Sequence, residues 1–569
     1  MAARSPQHAQ FALGVDYGTN SVRTLVVDVA DGREVASAVS EYPSGEAGIL
    51  LDPKEPNLAR QNPQDYIDGF FDSVSKAVAA ARRDRRFRPE AVVGIGIDTT
   101  GSTPLPVDAE GMPLALQPAF KRNLAAQAWL WKDHTSHAEA AEISDKARRH
   151  RDGYLAKCGG VYSSEWYWSK VLHCKRTAPK VFAAAVSWVE LADFVPGFIT
   201  GNLRPDSLPR SICAAGHKAM YHEQWKGLPS KSFLKSLDAD LPRLVDSFAA
   251  PALTSDRRAG LLTPQVAREV GLPAGLPVAV GAFDAHMGAV GAGIKPGTLV
   301  KIIGTSTCDM LVAPLAAHLP DIPGLCGVVP GSIVPGMYGL EAGQSAVGDI
   351  FNWFVKYLAP AAYTDKGDPH VNLSREAARL QPGESGLVAL DWNNGNRTIL
   401  VDPLLTGLLV GQTLHTTAAE IYRALIEATA FGALTIIRRF EEYGMAVREV
   451  VNCGGIAEKS PLVMQIYADV CNRPMKISRS PQTCALGAAI FGAVVGGAHP
   501  HVPAAQNAMT GTKDTVYRPQ KAAVKVYTEL YPLYRSLHDA FGVPASDQNL
   551  ARVMKDLIAL RSRVRQETH

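Results

Sequence analysis

The most constraining feature of this chain is a repeated pattern, in which two short apolar β-type runs flank a turn of small residues. Near the N-terminus, residues 11–16 and 22–28 flank a Gly-Thr-Asn turn. Past the middle of the chain, residues 298–304 and 308–313 flank a Gly-Thr-Ser turn in the same way. Such pairs of runs predict β-hairpins. Two halves that each begin with a hairpin predict a duplicated α/β fold with a cleft between the halves.

The segments that follow the two hairpins also have the same order. In the first half, the unpatterned apolar residues 91–98 predict a central strand that is covered on both faces. In the second half, Thr417 and Glu420 form a capping-box pattern ahead of a long helix, and residues 449–453 predict the matching strand. We therefore expect the seam between the halves near residues 285–300.

The near-neutral charge limits the partners that this chain can have. The 58 lysines and arginines against 55 aspartates and glutamates leave a formal charge of +3, which supplies no basic surface for a nucleic acid. The longest uncharged apolar stretch, residues 484–498, is shorter than the ~20 residues of a membrane span and predicts a buried helix. The eight cysteines include no C-x-x-C pair. We therefore expect reduced thiols, a cytoplasmic protein, and neither a nucleic acid nor a membrane as partner.

The turn of the first hairpin carries residues that suit a phosphate group. Gly18 allows backbone amides to approach a ligand closely, and the hydroxyl of Thr19 can donate to a phosphate oxygen. The carboxylate of Asp16 can hold hydrated Mg²⁺. An ordinary turn explains this segment equally well when it is taken alone.

Two further turns favour a nucleotide ligand. Gly304, Thr305 and Ser306 repeat the same small, hydroxyl-bearing chemistry in the second half. Gly454 and Gly455 follow the predicted strand of that half and can let a flat purine lie against the backbone. The sequence has no Walker P-loop motif. Because three such turns occur in this order, they indicate a nucleotide held in another way.

These three turns resemble the phosphate-1, phosphate-2 and adenosine motifs of the actin-like ATPases. Within that group, residues 281–286 (GAFDAH) and the stretch from Gly454 to Gln465 resemble the FGGY carbohydrate kinases. The agreement extends over about residues 11–540. Further short motifs are similar to those of family members that phosphorylate L-ribulose. They are LWKDHT at 130–135, SSEW at 163–166, RS through GHKA at 210–219, and LEAGQS at 340–345.

The resemblance implies a duplicated actin-like ATPase (ribonuclease H-like) fold with two lobes and a central cleft. We expect a lobe of residues 11–290 that mainly binds sugar, a lobe of residues 291–545 that mainly binds ATP, and a helical tail of residues 546–569. The implied reaction is the transfer of a phosphoryl group from ATP, with Mg²⁺, to the C5 hydroxyl of L-ribulose. Its products are L-ribulose 5-phosphate and ADP, in the breakdown of L-arabinose. The sequence leaves open whether the chain forms a homodimer.

The resemblance also implies a catalytic residue. The general base of the family corresponds to Asp284, whose carboxylate can take the proton from the attacking sugar hydroxyl. Apolar neighbours such as Phe283 are suited to keep competing water away. The structural alternative is that Asp284 only caps a helix that begins at Ala285.

The resemblance of the same motifs also implies residues that contact the sugar. Lys218 can donate to hydroxyls or to the keto oxygen, and Glu341 can accept from two adjacent hydroxyls. Trp131 offers a ring surface for the sugar, and Asp133 offers a second acceptor. Gly101 stands where glycerol kinases have an arginine, which leaves room for a substrate larger than glycerol. The alternatives for Lys218, Glu341 and Trp131 are a surface lysine, a surface glutamate and a core tryptophan.

The remaining carried-over residues concern the nucleotide and the metal. The resemblance implies that Asp16 holds Mg²⁺. It implies that ATP contacts Gly18, Thr19, Asn20, Arg23, Gly304, Thr305, Ser306, Gly348, Asn352, Gly454, Gly455 and Lys459. Two histidines, His217 and His286, adjoin the proposed site, and we expect both to be buried and hydrogen-bonded rather than catalytic.

Three other functions compete with this interpretation. Another FGGY kinase, specific for D-ribulose or D-xylulose, would share the machinery and differ only in the pocket. An actin-like or chaperone-like ATPase would hydrolyse ATP without a sugar, and it would need an extra domain that the sequence does not suggest. A sugar sensor without activity would usually lack Asp284.

Overall fold

The structure is a computed structural model, and it describes residues 9–568 except 250, 366, 549, 551 and 552. Its described part contains two seven-stranded sheets. The strands of the N-terminal sheet lie in the order Arg258–Leu261, Pro277–Ala279, Val92–Thr99, Phe11–Tyr17, Ser21–Asp28 and Glu34–Glu41, and Ala282–Phe283 also pairs with Val92–Thr99. The strands of the C-terminal sheet lie in the order Gly327–Pro330, Met337–Ala342, Thr307–Pro314, Thr298–Ile303, Glu449–Cys453, Met475–Ser478 and Thr512–Tyr517.

Short strands and helices surround these sheets. A three-stranded sheet has the order Leu50–Asp52, Glu55–Gln61 and Ala128–Trp129. In one two-stranded sheet Pro104–Val107 pairs with Ser187–Glu190, and in another Val388–Leu390 pairs with Leu408–Val410. The helices of the first half are Pro63–Ala81, His137–Arg148, Tyr167–Thr177, Pro179–Ala184, Leu191–Thr200, Ile212–Lys218, Lys231–Leu237, Arg243–Asp246, Pro264–Val270 and Asp284–Gly291. Those of the second half are Gly348–Tyr357, Ala361–Thr364, Pro369–Ala377, Ala418–Glu442, Gly455–Lys459, Pro461–Cys471, Thr483–Val495, Val502–Met509, Lys521–Gly542 and Val553–Thr568.

The two large sheets confirm the predicted duplication. In each sheet the first strand of the hairpin pairs antiparallel with the second and parallel with a strand that arrives later in the chain. That later strand is Val92–Thr99 in the first half and Glu449–Cys453 in the second. Parallel pairing requires a crossover, which the intervening helical segments supply.

Local sequence signals agree with the observed bounds of some elements. The strand Glu449–Cys453 has the predicted bounds, and Thr417 with Glu420 forms the predicted capping box. The apolar helix runs over Thr483–Val495, which is shorter than the uncharged stretch that predicted it. Within the described ranges, no helix is both long and apolar enough to span a membrane.

The helix Thr483–Val495 belongs to the second half of the sequence but packs against the N-terminal sheet. Glycines allow this approach, because a Cβ at Gly14 would lie 1.7 Å from the carbonyl oxygen of Ala485, and one at Gly96 would lie 1.8 Å from that of Ala488. On its other side the helix crosses Asp284–Gly291 equally closely, since a Cβ at Gly487 would lie 1.8 Å from the carbonyl oxygen of Met287. The two helices therefore form the seam between the halves.

The C-terminal tail packs on the second half. Val553, Leu557, Leu560 and Val564 are buried in the same core cluster as the helix Lys521–Gly542. The predicted tail of residues 546–569 therefore shares a core with the lobe before it. Residues 549, 551, 552 and 569 of that prediction lie outside the described residues.

Because the backbones at the seam are so close, we expect a single added methyl group to lower the stability of the protein. Gly96→Ala should destabilise the protein by about 1–3 kcal/mol, because the helix must move away from the strand. For a lobe of this size that loss corresponds to a fall of about 2–4 °C in Tm per kcal/mol, measured by thermal unfolding. Gly511→Ala is the matched control, because its Cβ would meet its nearest neighbour at an ordinary 3.5 Å. Equal Tm values for the two variants would contradict this account of the seam.

Candidate active site

Three carboxyl groups lie at one edge of the N-terminal sheet. Asp16 and Asp98 are register partners on adjacent parallel strands, close to the carboxyl end of each. Ala282 pairs with Asp98 on the other side, so Asp284 follows one residue beyond that strand. Because adjacent strands lie about 4.8 Å apart, this register brings the three aspartates to the same edge of the cleft.

Asp284 is the first residue of the helix Asp284–Gly291, and Phe283 occupies the N-cap position. The alternative that Asp284 itself caps the helix is therefore wrong. Its Oδ1 accepts a hydrogen bond from the backbone N–H of Ala285 at 2.7 Å. Burial and the negative charge of Asp16 raise the pKa of Asp284 to about 7. A carboxyl group in this state can gain or lose a proton near neutral pH.

Asp98 is a site residue that the sequence interpretation missed. Its side chain is fully buried, and neither of its carboxylate oxygens has a hydrogen-bond partner among the residues that the structure describes. Burial and the charges of Asp16 and Asp284 raise the pKa of Asp98 well above its ordinary value. A hard divalent cation prefers oxygen ligands and would relieve this repulsion, so Asp16 and Asp98 fit Mg²⁺. The only sequence signal was a carboxylate at the end of an apolar strand.

A buried ion pair lies close enough to Asp284 to influence its charge. The ammonium of Lys218, at the end of the helix Ile212–Lys218, lies 3.1 and 3.0 Å from the two carboxylate oxygens of Glu341. Glu341 lies on the strand Met337–Ala342 of the C-terminal sheet. Both side chains are buried, so the alternatives of a surface lysine and a surface glutamate are wrong. The sugar-site candidates therefore come from both halves of the chain.

Arg397 is a second residue that the sequence interpretation missed. Its guanidinium donates to Glu341 at 2.8 Å. Burial alone would raise the pKa of Glu341, but the positive charges of Lys218 and Arg397 outweigh it and hold that pKa well below its usual range. Burial would likewise lower the pKa of Lys218, yet the charge of Glu341 keeps it above its ordinary value. The pair is therefore ionised throughout the neutral range.

Two buried histidines complete this cluster. His217 Nε2 hydrogen-bonds with the hydroxyl of Ser332 at 3.0 Å, as expected for a buried histidine. His286 differs from the expectation, because neither of its ring nitrogens has a hydrogen-bond partner within the described part of the chain. Ligand atoms of His217, His286 and Glu341 lie within 4.8 Å of one another. Lys218 and Arg397 already contact Glu341, so the local positive charge disfavours a metal ion there.

A buried lysine joins two segments that carry candidate sugar-site residues. Lys170 donates to the carbonyl oxygens of Ser102 and Leu130, both at 2.8 Å. It thereby joins the loop after Gly101 to the segment that carries Trp131. A Cβ at Gly101 would lie 2.0 Å from the ring of Phe283, so the glycine makes room for that ring.

Trp131 and Asp133 have different environments although they are close in sequence. The indole N–H of Trp131 donates to the hydroxyl of Thr19 at 3.1 Å. This bond joins the segment of Trp131 to the Gly-Thr-Asn turn of the first hairpin. Asp133 is fully buried, forms an ion pair with Arg60 and accepts from the backbone N–H of Ala59 at 2.7 Å. These contacts and those with Thr135 engage both carboxylate oxygens of Asp133, and its contact with the sugar stays a prediction.

The first turn lies beside the carboxyl groups. The backbone N–H of Gly18 donates to the carbonyl oxygen of Ser21 at 3.0 Å, and this bond closes the turn. Arg23 extends to within 4.0 Å of Asp16. Asn20 instead donates to the carbonyl oxygen of Ala47 at 2.6 Å.

The second and third turns lie against each other. The N–H of Gly348 donates to the carbonyl oxygen of Gly304 at 3.1 Å, and that of Val347 donates to Thr305 at 2.7 Å. Gly454 has a φ of 92°, and a Cβ there would lie 2.4 Å from the carbonyl oxygen of Ile303. Gly455 is open, because a Cβ there would meet no described atom within 4 Å.

Three further nucleotide candidates lie on or near these turns. Ser306 closes the second turn, because its carbonyl oxygen accepts from the backbone N–H of Gly304 at 2.9 Å. Lys459 is exposed at the end of the helix Gly455–Lys459. Asn352 is exposed and hydrogen-bonds with the ring of His370 at 3.0 Å.

Comparison with known proteins agrees with this architecture. The model of the N-terminal domain of the FGGY family of carbohydrate kinases matches residues 11–291, and that of the C-terminal domain matches residues 299–495. The chain is 41% identical to the ribulokinase of Vibrio parahaemolyticus over 547 residues, which cover 93% of this chain and 96% of that protein. It is 42% identical to the ribulokinase of Geobacillus thermodenitrificans over 554 residues, which cover 95% of this chain and 96% of that protein.

A solved structure has the same architecture. The xylulose kinase of Rhodospirillum rubrum superposes with a TM-score of 0.75 at 25% identity, over 93% of this chain and 99% of that one. This likeness confirms the predicted duplicated actin-like fold. With both family domains matched over most of its length, the chain belongs to the FGGY family of carbohydrate kinases.

Proposed function

We propose that this chain transfers the γ-phosphoryl group of ATP to the C5 hydroxyl of L-ribulose, giving L-ribulose 5-phosphate and ADP in the breakdown of L-arabinose. The observation that carries the proposal is that the buried Asp284 feels the charges both of Asp16 and of the Lys218–Glu341 pair. Relatives named ribulokinase, similar over nearly the whole chain, support this choice among sugar kinases. The family match favours a kinase over an actin-like or chaperone-like ATPase.

Asp284 is the proposed general base. As the C5 oxygen attacks the γ-phosphorus and the bond to the ADP oxygen breaks, the hydroxyl proton passes to the carboxylate of Asp284. A pKa of about 7 suits this task, because about half of the carboxyl groups are deprotonated at neutral pH and the carboxylate is basic enough to accept a proton. The apolar ring of Phe283 beside it helps to exclude competing water.

Lys218, Glu341 and Trp131 are the proposed sugar ligands, with the backbone near Gly101 as a further wall. The ammonium of Lys218 has donors for a keto or hydroxyl oxygen, and the ionised Glu341 accepts from hydroxyls. Because both groups are buried and ionised, they can bind a polyol strongly once water is displaced. Lys170 supports this site by binding both the loop after Gly101 and the segment before Trp131.

The nucleotide is proposed to lie along the three turns. Gly18, Thr19 and Arg23 in one lobe and Gly304, Thr305 and Ser306 in the other supply backbone donors, hydroxyls and a guanidinium for the phosphates. Mg²⁺, bound with ATP, supplies neutralisation of the phosphate charge. Asp16 is the proposed residue that holds it through water, with Asp98 beside it. Gly455 leaves the backbone open for the adenosine, while Gly348 and Gly454 pack closely against the second turn beside it.

The state of the cysteines bears on the cellular location of the protein. All eight cysteines lie within the described ranges and are free. Free, mostly buried thiols are typical of a reducing compartment, so we propose a cytoplasmic location.

A substrate panel tests the proposed function. We expect the highest kcat/KM with L-ribulose among L-ribulose, D-ribulose and D-xylulose, measured by coupled release of ADP. ATP hydrolysis without any sugar should be slow in comparison. A clear preference for D-xylulose would replace the proposed substrate, and fast hydrolysis that no sugar accelerates would replace the kinase assignment.

The pKa of Asp284 predicts an acidic limb in the pH profile. The base acts in its deprotonated form, so kcat/KM for the sugar should fall below about pH 7 and lose roughly tenfold for each further unit. The measurement is kcat/KM for the sugar between pH 5 and 9 at saturating MgATP.

Asp284→Asn is the control for that limb. This variant should lose about 10²- to 10⁴-fold in kcat, keep its affinity for ADP, and show no acidic limb in its residual activity. A variant that keeps the wild-type turnover, or the wild-type limb, would remove Asp284 from the role of base.

A further inference from the structure

His286 is the buried polar group that the proposed mechanism leaves unused. It lies in the first turn of the helix Asp284–Gly291, two residues after the proposed base. Its side chain is 2% exposed, and neither ring nitrogen is hydrogen-bonded to any described residue. Native structures rarely leave a buried polar atom without a partner, and an exception points to a water, an ion or a ligand.

The surroundings of His286 select the kind of ligand. Its Nε2 lies 3.8 Å from a carboxylate oxygen of Glu341, and its ring centre lies 4.5 Å from that of His217 and 5.9 Å from that of Phe283. Lys218 and Arg397 also contact Glu341. Two fixed positive charges beside this carboxylate disfavour a metal ion, whereas a neutral hydroxyl group meets no such repulsion.

The protonation state of His286 agrees with a hydroxyl ligand. Burial and the positive charges of Lys218 and Arg397, opposed by Glu341, lower the pKa of His286 to about 4. The ring is therefore neutral at pH 7, with one nitrogen that donates and one that accepts. A hydroxyl both donates and accepts, so it can satisfy either nitrogen. His217 is less available, because Ser332 already occupies one of its nitrogens.

We propose that His286 binds a secondary hydroxyl of the ketose beside the one held by Glu341, and so determines which pentulose is accepted. This inference rests on the proposed function. The base acts on the terminal hydroxyl, while His286 contacts an inner one, where ketopentoses differ in configuration. A site with a donor and an acceptor fixed in a buried pocket discriminates strongly against a hydroxyl that points elsewhere.

The test compares His286→Phe with His286→Gln. Phenylalanine keeps a ring but removes both polar atoms, and glutamine keeps a donor and an acceptor. We expect His286→Phe to raise KM for L-ribulose about tenfold to a hundredfold, with a smaller change in kcat and unchanged affinity for ADP. His286→Gln should recover most of the loss. The matched control is His538→Gln, a buried histidine packed against Trp392, which should leave KM for the sugar unchanged.

Substrate preference separates a binding role from a structural one. D-xylulose is the C4 epimer of L-ribulose and L-xylulose is its C3 epimer. In His286→Phe, the preference for L-ribulose over one of these epimers should shrink about tenfold or more, which a general loss of packing would not produce. Wild-type KM and wild-type preference in a folded His286→Phe would overturn the proposal.

Two further controls keep the test decisive. Should His286→Phe not fold, the 3-deoxy and 4-deoxy analogues of L-ribulose replace it, compared in the wild type and in His286→Ala. One analogue should lose affinity in the wild type and lose much less in the variant, and equal losses in both proteins would overturn the proposal. A wild-type chain that phosphorylates no ketopentose would refute the proposed function instead.

Discussion

The buried ion pair between Lys218 and Glu341 is the interaction on which the rest of the site depends, because it joins the two halves of the chain inside the cleft. Removing two charges from water costs several kcal/mol per ion, and only good geometry with further hydrogen bonds offsets that cost. Here both oxygens of Glu341 contact the ammonium, and Arg397 adds a third contact. The pair thus supplies buried charged groups to the proposed sugar site.

The same cleft holds carboxyl groups with opposite properties. Burial and the negative charge of Asp16 raise the pKa of Asp284 to about 7. Glu341 has Lys218 and Arg397, and its pKa is held well below the usual range. Pairs of carboxyl groups whose environments separate their pKa values are typical of sites in which one group exchanges a proton and the other binds. This division of roles comes from neighbours on different strands and helices, not from the residue types.

Local patterns were enough to predict the hairpins, the capping box at Thr417 and the order of the two halves. They could not predict how the helix Thr483–Val495 is placed, because Gly14 and Gly96 acquire meaning only when the opposing backbone is known. The ion pair between Asp133 and Arg60 could not be predicted either, since the two residues are distant in sequence.

Two residues of the candidate site carried no sequence signal strong enough to find them. Asp98 ends an apolar run in the sequence. Only the folded sheet shows that it lies beside Asp16 and that its carboxylate oxygens lack hydrogen-bond partners among the described residues. Arg397 lies in a segment without periodicity or motif, and only the folded chain brings it to Glu341. Both depend on pairing between distant segments, which a single sequence does not reveal.

A crystal structure with L-ribulose and a non-hydrolysable ATP analogue tests the central claim most directly. The account predicts that the terminal hydroxyl of the sugar lies within hydrogen-bond distance of Asp284 and points towards the γ-phosphate, while Lys218 and Glu341 contact other sugar oxygens. A sugar bound away from Asp284, or a triphosphate that does not reach the turns at Gly18 and Gly304, would contradict it.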